Sequence, residues 1–280
     1  MIDLIEILIL VIIGLFAGLT GGMLGVGGSI VMIPAMTELL GPDQHLYQSA
    51  AMMVNFFVVI PAVYQHHRAK VIERSTVLRI IPLAIMTVLL GVGISELSLF
   101  AGTGEAYLRG AFGLFLFFAG GFDLYRLTHG RDARADLPGC KKSPPVVIGW
   151  GRSAAIAAPV GLIAGLLGIG GGLLAVPLQR RFLGIPIRTA IANSATIIIA
   201  TSLVGAAVKN YAYVTEHANS TKPFMLAAVL IPTSILGSLL GSRLTHRLPV
   251  KVIKMAFCAL LILAAVRLSF GAVASLMATS

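Results

Sequence analysis

Ten apolar segments follow one another along the chain, separated by short polar or glycine-rich stretches. They cover 4–24, 28–40, 48–64, 80–97 and 108–125 in the first half, and 146–167, 171–183, 189–208, 223–242 and 251–270 in the second. A membrane-spanning helix needs roughly 20 residues, so the segments 28–40 and 171–183 are too short to cross unaided. The pattern predicts an all-α integral membrane protein. Its two short segments are broken helices, re-entrant hairpins, or helices continued by a neighbouring turn.

Composition agrees with this interpretation and excludes a second, soluble domain. Mean hydropathy is +0.94 and 11% of the residues are charged, against about 25% in a soluble domain. A cleavable signal peptide is not expected, because Asp3 and Glu6 precede the first apolar run and the first basic residue is Arg68. Cys140 lies in a polar loop and Cys258 in an apolar span, and their positions predict neither a disulfide nor a metal site.

The chain repeats a glycine-rich segment half-way along its length. Residues 18–34 and 161–177 are identical at 8 of 17 positions without a gap, at a spacing of 143 residues (161 − 18). A second similarity, between 81–91 and 231–241, follows in the same order. Chance similarity between Gly- and Leu-rich segments is the alternative, but two matches in one order favour an internal repeat. We therefore expect a first repeat at 1–125, a linker loop at 126–145 and a second repeat at 146–280.

The basic residues predict how these repeats lie in the membrane. If the short segments cross and the N-terminus is outside, 17 of the 21 Lys and Arg fall at cytoplasmic ends, the bias expected of membrane proteins. If they do not cross, the bias nearly disappears. We therefore expect ten crossings of the cell (inner) membrane, a cytoplasmic central loop and both termini outside. Five crossings per half make the two repeats inverted. The net charge of +10 is then explained by topology rather than by binding to nucleic acid.

These motifs resemble the paired motifs of the TauE/SafE family of sulfite and organosulfonate exporters. The resemblance rests on Gly25-Val-Gly-Gly-Ser29 with Pro34, and on Gly168-Ile-Gly-Gly-Gly172 with Pro177. It extends to Ala50 and Ala190 and to the helices containing Pro82…Gly91 and Pro232…Gly241. The family implies export of small sulfur-containing anions. The first half departs from the family pattern. The second half follows it with Asn193-Ser194, whereas the first half has Met53-Val54 and then Asn55.

The two glycine-rich breaks are the predicted binding site. Glycine lets the backbone turn and approach a ligand closely, and the free N–H groups at a helix N-terminus attract anions. Close packing through small residues is the alternative interpretation. Polar side chains within the apolar helices are candidate partners, although each one, including Thr201 and Ser202, also suits a bond between helices. The predicted substrate-binding residues are Gly25, Gly27, Gly28, Ser29, Asn55, Gly168, Gly170, Gly171, Gly172, Asn193, Ser194 and Thr196.

Ionisable residues offer little further chemistry. Asp123, Arg126 and Arg267 lie near predicted span ends, and His66-His67 lies beside a basic loop without further metal ligands. No buried carboxylate suitable for proton coupling stands out. For an exported anion the membrane potential supplies about 2.3 kcal/mol per charge per 100 mV. The sequence therefore favours a voltage-driven uniporter whose flux ignores a pH gradient.

These observations favour a secondary transporter that exports sulfite or organosulfonates. An importer or a channel for another small anion is the alternative, and an intramembrane enzyme is less favoured, because the spans lack a nucleophile–base pair and metal ligands. No cofactor and no metal are expected. The expected partners are the anion and the lipid bilayer, with a homo-oligomer left open.

Overall fold

The computed structural model describes residues 3–100, 102–128, 149–217, 220–244 and 250–279. Over these ranges the chain forms α1 (Leu4–Leu24), α2 (Ser29–Leu40), α3 (Gln44–Arg68), α4 (Arg74–Ser95), α5 (Glu105–Thr128), α6 (Trp150–Leu167), α7 (Gly172–Leu183), α8 (Ile187–Glu216), α9 (Lys222–Leu244) and α10 (Val250–Thr279). Eight of these helices are long and apolar enough to cross a membrane. The predicted all-α membrane class is confirmed. The predicted linker, from residue 129 onward, and Cys140 lie outside the described residues.

The helix ends agree with the apolar segments at some places and extend beyond them at others. α1 ends at Leu24, as expected, because Gly25 takes the left-handed conformation (φ 66°) and stops the helix. In contrast, α8 continues to Glu216, past the predicted end at residue 208, and so brings Lys209 and Asn210 inside a helix. Similarly, α3 starts at Gln44, four residues before the predicted segment. Polar residues that hydropathy assigns to loops thus lie on membrane helices, where protein partners surround them.

Glycines hold pairs of parallel helices in close contact. A Cβ atom placed on Gly18 of α1 would lie 2.1 Å from the carbonyl oxygen of Ser234 in α9. On Gly165 of α6 it would lie 2.2 Å from the carbonyl oxygen of Val88 in α4. Small residues at such crossings let membrane helices approach through van der Waals contact. Each of these close pairs joins the two halves of the chain. α1 packs on α9 of the second half, and α6 of the second half packs on α4 of the first.

The helices define two ends of the molecule. We call one the Lys222 end, where α9 begins, α8 and α4 end and α3 begins, and the other the Arg74 end, where α4 begins. α3 and α8 are antiparallel, since His45 lies beside Lys209 while Met52 lies beside Gly205. α1 is parallel to α9, since Gly14 lies against Thr233 and Gly22 against Ser238. Hence α1 and α3 both begin at the Lys222 end.

The two short helices begin in the interior and leave towards opposite ends. Gly28, just before α2, lies against Ala17, seven residues before the end of α1 (24 − 17). Gly171, just before α7, lies against Val160, seven residues before the end of α6 (167 − 160). A helix of 12 residues is about 18 Å long, shorter than the hydrocarbon core of about 30 Å. α2 returns to the Lys222 end and α7 to the Arg74 end.

Replacing Gly18 by alanine should destabilise the protein by about 1–3 kcal/mol, because the added methyl group overlaps the α9 backbone. Gly93→Ala is the matched control, since no heavy atom lies within 4 Å of its Cβ position. Thermal unfolding in detergent measures both variants. Equal midpoints for the two variants would show that the α1–α9 contact is looser than described.

Cysteine labelling in intact cells should place the two ends on opposite sides of the membrane. The background is the double variant Cys140→Ser/Cys258→Ser. An impermeant thiol reagent should distinguish Lys70→Cys, which lies beyond α3 at the Arg74 end, from Ser98→Cys and Lys222→Cys at the Lys222 end. Labelling of all three from one side would refute the predicted inverted arrangement.

Candidate substrate site at the two broken helices

The two glycine-rich breaks meet inside the protein. A Cβ on Gly172 would lie 2.7 Å from the carbonyl oxygen of Val26, which places the start of α7 against the break that precedes α2. Asn55 of α3 lies between the breaks. A Cβ on Gly27 would lie 3.0 Å from its Oδ1 atom, and one on Gly170 would lie 3.1 Å from its Nδ2 atom. The structure therefore brings together glycines of both halves and Asn55, all predicted site residues.

Asn55 caps the N-terminus of α2. Its Oδ1 accepts hydrogen bonds from the backbone N–H groups of Gly28 (2.9 Å) and Ser29 (3.1 Å). Its Nδ2 donates to the Ser29 hydroxyl at 2.7 Å. All of these groups are buried. The N–H groups that begin α2 are thus already satisfied by a protein side chain, and the first break is closed to a ligand in this conformation.

The N-cap residue of α7 is Gly171, and among the described residues no side chain takes the place that Asn55 has at α2. Reciprocal contacts show which residues of the two halves are equivalent. Gly25 lies against Ile191, and Gly168 lies against Gln48. Gln48 and Ile191 are 143 residues apart (191 − 48), the spacing of the glycine segments. In this register the residue equivalent to Asn55 is Ile198. An isoleucine cannot accept hydrogen bonds, so the first turn of α7 lacks the acceptor that Asn55 provides for α2.

A buried hydroxyl lies beside this uncapped terminus. The side chain of Ser202 is 0% exposed and lies 3.1 Å from the Cβ position of Gly170. It has no hydrogen-bond partner among the described residues. Its neighbour Thr201 donates to the carbonyl oxygen of Gly170 at 3.1 Å and so supports the turn. Ser194 donates to the carbonyl oxygen of Gly172 at 3.4 Å. Ser202 is therefore an available donor at the second break, although it is not among the predicted substrate-binding residues.

Two of the predicted side chains make contacts elsewhere. Asn193 accepts a hydrogen bond from the backbone N–H of Glu73 at 2.9 Å and so caps α4 at the Arg74 end. Thr196 donates to the carbonyl oxygen of Ala192 in its own helix at 2.9 Å. In the register of the reciprocal contacts, the residue equivalent to Asn193 is Ala50 (193 − 143) rather than Met53. The halves thus differ at the positions that surround the breaks.

A cleft of about 750 Å³ leads along α7 from the Arg74 end. Leu173 and Leu174, in the first turn of α7, line one part of it, and Arg180 and Arg181, in the last turn, line another. The opposite wall is α5, with Phe118 to Tyr125. The cleft thus connects the uncapped helix start with a basic end of the molecule.

A buried ionic cluster lies at the Lys222 end, where the sequence analysis found no coupled carboxylate. Lys209 of α8 is 1% exposed, and its ammonium group contacts the carboxylate of Glu96, which follows α4. It also donates to Ser95 (2.8 Å) and lies 3.1 Å from Nδ1 of His45. The apolar segment 189–208 stops one residue before Lys209, so hydropathy alone leaves this lysine outside the span. The continued helical register to Glu216 is the signal that could have placed it inside.

Glu96 stays ionised over most of the pH range. Its burial opposes ionisation, but the hydrogen bond with His45 and the charge of Lys209 outweigh that effect and lower its pKa to about 2. The attraction is therefore complete above the ordinary glutamate pKa and is lost only as the pH falls through about 2. Within the described residues, no group of three or more His, Cys, Asp or Glu could hold a metal ion.

Comparison with known proteins identifies the family. Residues 10–268 match the family described as "Sulfite exporter TauE/SafE". The chain belongs to the TauE/SafE family. It is 30% identical over 91% of its length to the probable membrane transporter protein MamO of Paramagnetospirillum magneticum, of which the match covers 43%. It is 25% identical over 95% of its length to the probable membrane transporter protein YunE of Bacillus subtilis, of which the match covers 98%.

The chain spans less than half the length of the MamO proteins that it matches. No solved structure matches the chain. Membership of the TauE/SafE family, together with the eight long apolar helices, makes this chain a multi-pass membrane protein of a transporter family. The resemblance drawn from the glycine motifs is confirmed.

Substituting Asn55 by leucine should destabilise this TauE/SafE protein by about 2 kcal/mol or more, because two buried N–H groups lose their acceptor. Asn55→Asp keeps the acceptor oxygens but places a negative charge between the breaks. We expect Asn55→Asp to be the more stable of the two variants in thermal unfolding. Equal stability of Asn55→Leu and the unmodified protein would exclude the capping role.

Proposed function

We propose that this protein is a secondary transporter that exports small sulfur-containing anions, sulfite or organosulfonates, across the cell membrane. The family description supports the substrate class and the direction. The transporter family supports carrier activity rather than catalysis. The orientation proposed with it places the Arg74 end, which carries most of the basic residues, in the cytoplasm.

The observation that carries this proposal is the uncapped N-terminus of α7 inside the protein. The N–H groups of Gly172, Leu173 and Leu174 are those that a helix leaves unpaired in its first turn. They lie with a buried, unpartnered Ser202 hydroxyl beside the break. A sulfite or sulfonate group presents three oxygen acceptors on one centre, and several converging N–H and O–H donors suit it. A neutral substrate would gain less from the helix dipole.

The cleft along α7 supports entry from the Arg74 end. Arg180, Arg181 and Asp123 line that end of the cleft. Two basic groups against one acidic group leave a positive charge, which raises the local concentration of anions. The first turn of α7 lines the same cleft. An anion that entered there would meet the uncapped helix terminus before it met the Lys222 end. This sequence of contacts agrees with outward movement from a cytoplasmic Arg74 end.

Flux measurements in proteoliposomes test the substrate class. Vesicles are loaded with thiosulfate, sulfite, isethionate or, for comparison, lactate. We expect saturable movement of the sulfur anions, with counterflow, and little movement of lactate. Linear flux without saturation would indicate a channel. If none of the sulfur anions moves and none raises the unfolding temperature, the proposed substrate class is wrong.

Ser202→Ala should raise the KM for the transported anion about tenfold or more, because a hydrogen bond to a charged group contributes about 1.5–3 kcal/mol. Thr215→Ala on the same helix is the control, since the Thr215 hydroxyl is bonded within α8 to Tyr211 and Ala212. The maximal rate and the unfolding temperature of both variants should stay near those of the unmodified protein. A KM for Ser202→Ala equal to that of Thr215→Ala would remove Ser202 from the site.

A further inference from the structure

The ionic cluster at the Lys222 end joins the two halves of the chain through one cation. His45, Ser95 and Glu96 belong to the first half, and all three contact the ammonium group of Lys209 in the second. The Nε2 atom of His45 donates to the carbonyl oxygen of Phe100 (3.0 Å), because a carbonyl can only accept. The other ring nitrogen, Nδ1, lies 3.1 Å from the ammonium group of Lys209 and 3.5 Å from the carboxylate of Glu96. The lysine is thus enclosed by polar groups of the first half.

Stability alone does not explain such a cluster. Removing a lysine and a carboxylate from water is costly, and well-packed apolar residues often replace a buried ion pair without loss of stability. An ionisable side chain within a membrane helix is in general associated with ion or substrate movement. Lys209 lies seven residues before the end of α8 (216 − 209). Its position favours a role in transport.

Unpartnered polar atoms connect this cluster with the broken helices. Asn210, next to Lys209, donates to the backbone carbonyl of Ser49 at 3.1 Å. Within the part of the chain that the structure describes, three buried atoms here have no partner: Oδ1 of Asn210, the Ser49 hydroxyl and Oε1 of Gln48. The side chain of Gln48 lies 2.8 Å from the Cβ position of Gly168, where the second break begins. A buried polar atom without a partner is unfavourable, so this track suits a transported polar species or water.

Only the carboxylate of the cluster is partly accessible. The side chain of Glu96 is 19% exposed, whereas that of Lys209 is 1% exposed. Water at the Lys222 end can therefore reach Glu96 while the cation stays enclosed. The other charged groups near Lys209 are Glu216 of its own helix and Glu105 of α5. Asp43 and Arg109 lie near Glu105. Glu96 is the carboxylate in direct contact with the ammonium group.

We propose that Glu96 and Lys209 couple the anion to a proton, so that the anion replaces the Glu96 carboxylate on Lys209 while Glu96 takes up one proton from water. The inference rests on the proposed anion transport. The Glu96 carboxylate accepts the proton on one oxygen, the water becomes hydroxide, and the anion keeps its charge as it pairs with Lys209. Starting from the Lys222 end, the anion and the proton then cross together, and export runs the same steps in reverse. A singly charged anion carries no net charge across the membrane in either direction.

The electrostatics of the cluster make the two events depend on each other. Lys209 and His45 keep Glu96 ionised against the effect of its burial. When an anion neutralises Lys209, burial dominates and the pKa of the carboxyl rises. Such linkage is reciprocal, so protonation of Glu96 must also strengthen anion binding to Lys209. This mechanism is the alternative to the voltage-driven uniport that the sequence favours, and the dependence of flux on pH distinguishes the two.

Isethionate flux in proteoliposomes tests the coupling, because this sulfonate stays singly charged near neutral pH. The membrane potential is clamped with potassium and valinomycin, and a gradient of about one pH unit is imposed. We expect isethionate to move in the direction of the proton gradient, with a change in initial rate of up to about tenfold. In Glu96→Gln the initial rates with and without the pH gradient should be equal, whatever the absolute rate of the variant. Glu216→Gln, an exposed acid at the same end, should respond like the unmodified protein.

Two results would overturn the inference. One is isethionate flux in the unmodified protein that follows the membrane potential and ignores the pH gradient. The other is an unchanged pH response in Glu96→Gln. Both leave the proposed anion transport intact. Absence of saturable flux for any sulfur anion would refute the proposed function itself, and the coupling with it. Titration calorimetry in two buffers of different ionisation enthalpy provides a second measurement, with about one proton taken up per anion expected for the unmodified protein.

Discussion

The carboxamide of Asn55 is the contact on which the centre of the molecule depends. A helix that starts inside a membrane leaves its first N–H groups without acceptors, and each such group is costly in hydrocarbon. Asn55 accepts from two of these groups at the start of α2 and touches the glycine turn that precedes α7. The Asn55 side chain thus satisfies N–H groups at the first break and lies against the backbone of the second. Because Ile198 stands at the equivalent position, the second break lacks such an acceptor.

The two ends of the molecule also differ from each other. At the Lys222 end, α2 packs against α10, and Lys209 is held by groups of the first half. At the Arg74 end, a cleft separates α7 from α5 and reaches the first turn of α7. A second cavity, of about 540 Å³, lies between α3, α8 and the start of α9 and is lined by Met53, Asn210 and Phe224 among others. The two ends of the molecule thus differ in the helices and side chains that surround their cavities.

The sequence predicted the helices and the place of the breaks because these depend on local chemistry. Long apolar runs specify helices, and Gly25 and Gly168 stop them in the left-handed conformation. Asn55 was found because an amide inside an apolar helix is unusual. The contacts of Asn193 and Thr196 were not predictable in this way, because Asn193 reaches Glu73, which is 120 residues away. The ionic cluster was missed because hydropathy ends α8 before Lys209 and starts α3 after His45. Only the fold brings these two residues together.

A structure of the protein with selenite, the heavier homologue of sulfite, tests the central claim most directly. Selenium scatters anomalously, so the anion can be located independently of the protein. We expect its oxygens within hydrogen-bond distance of the N–H groups that begin α7 and of the Ser202 hydroxyl, while Asn55 continues to cap α2. Selenite bound at the start of α2 with Asn55 displaced, or away from both breaks in a preparation that transports sulfite, would contradict the account.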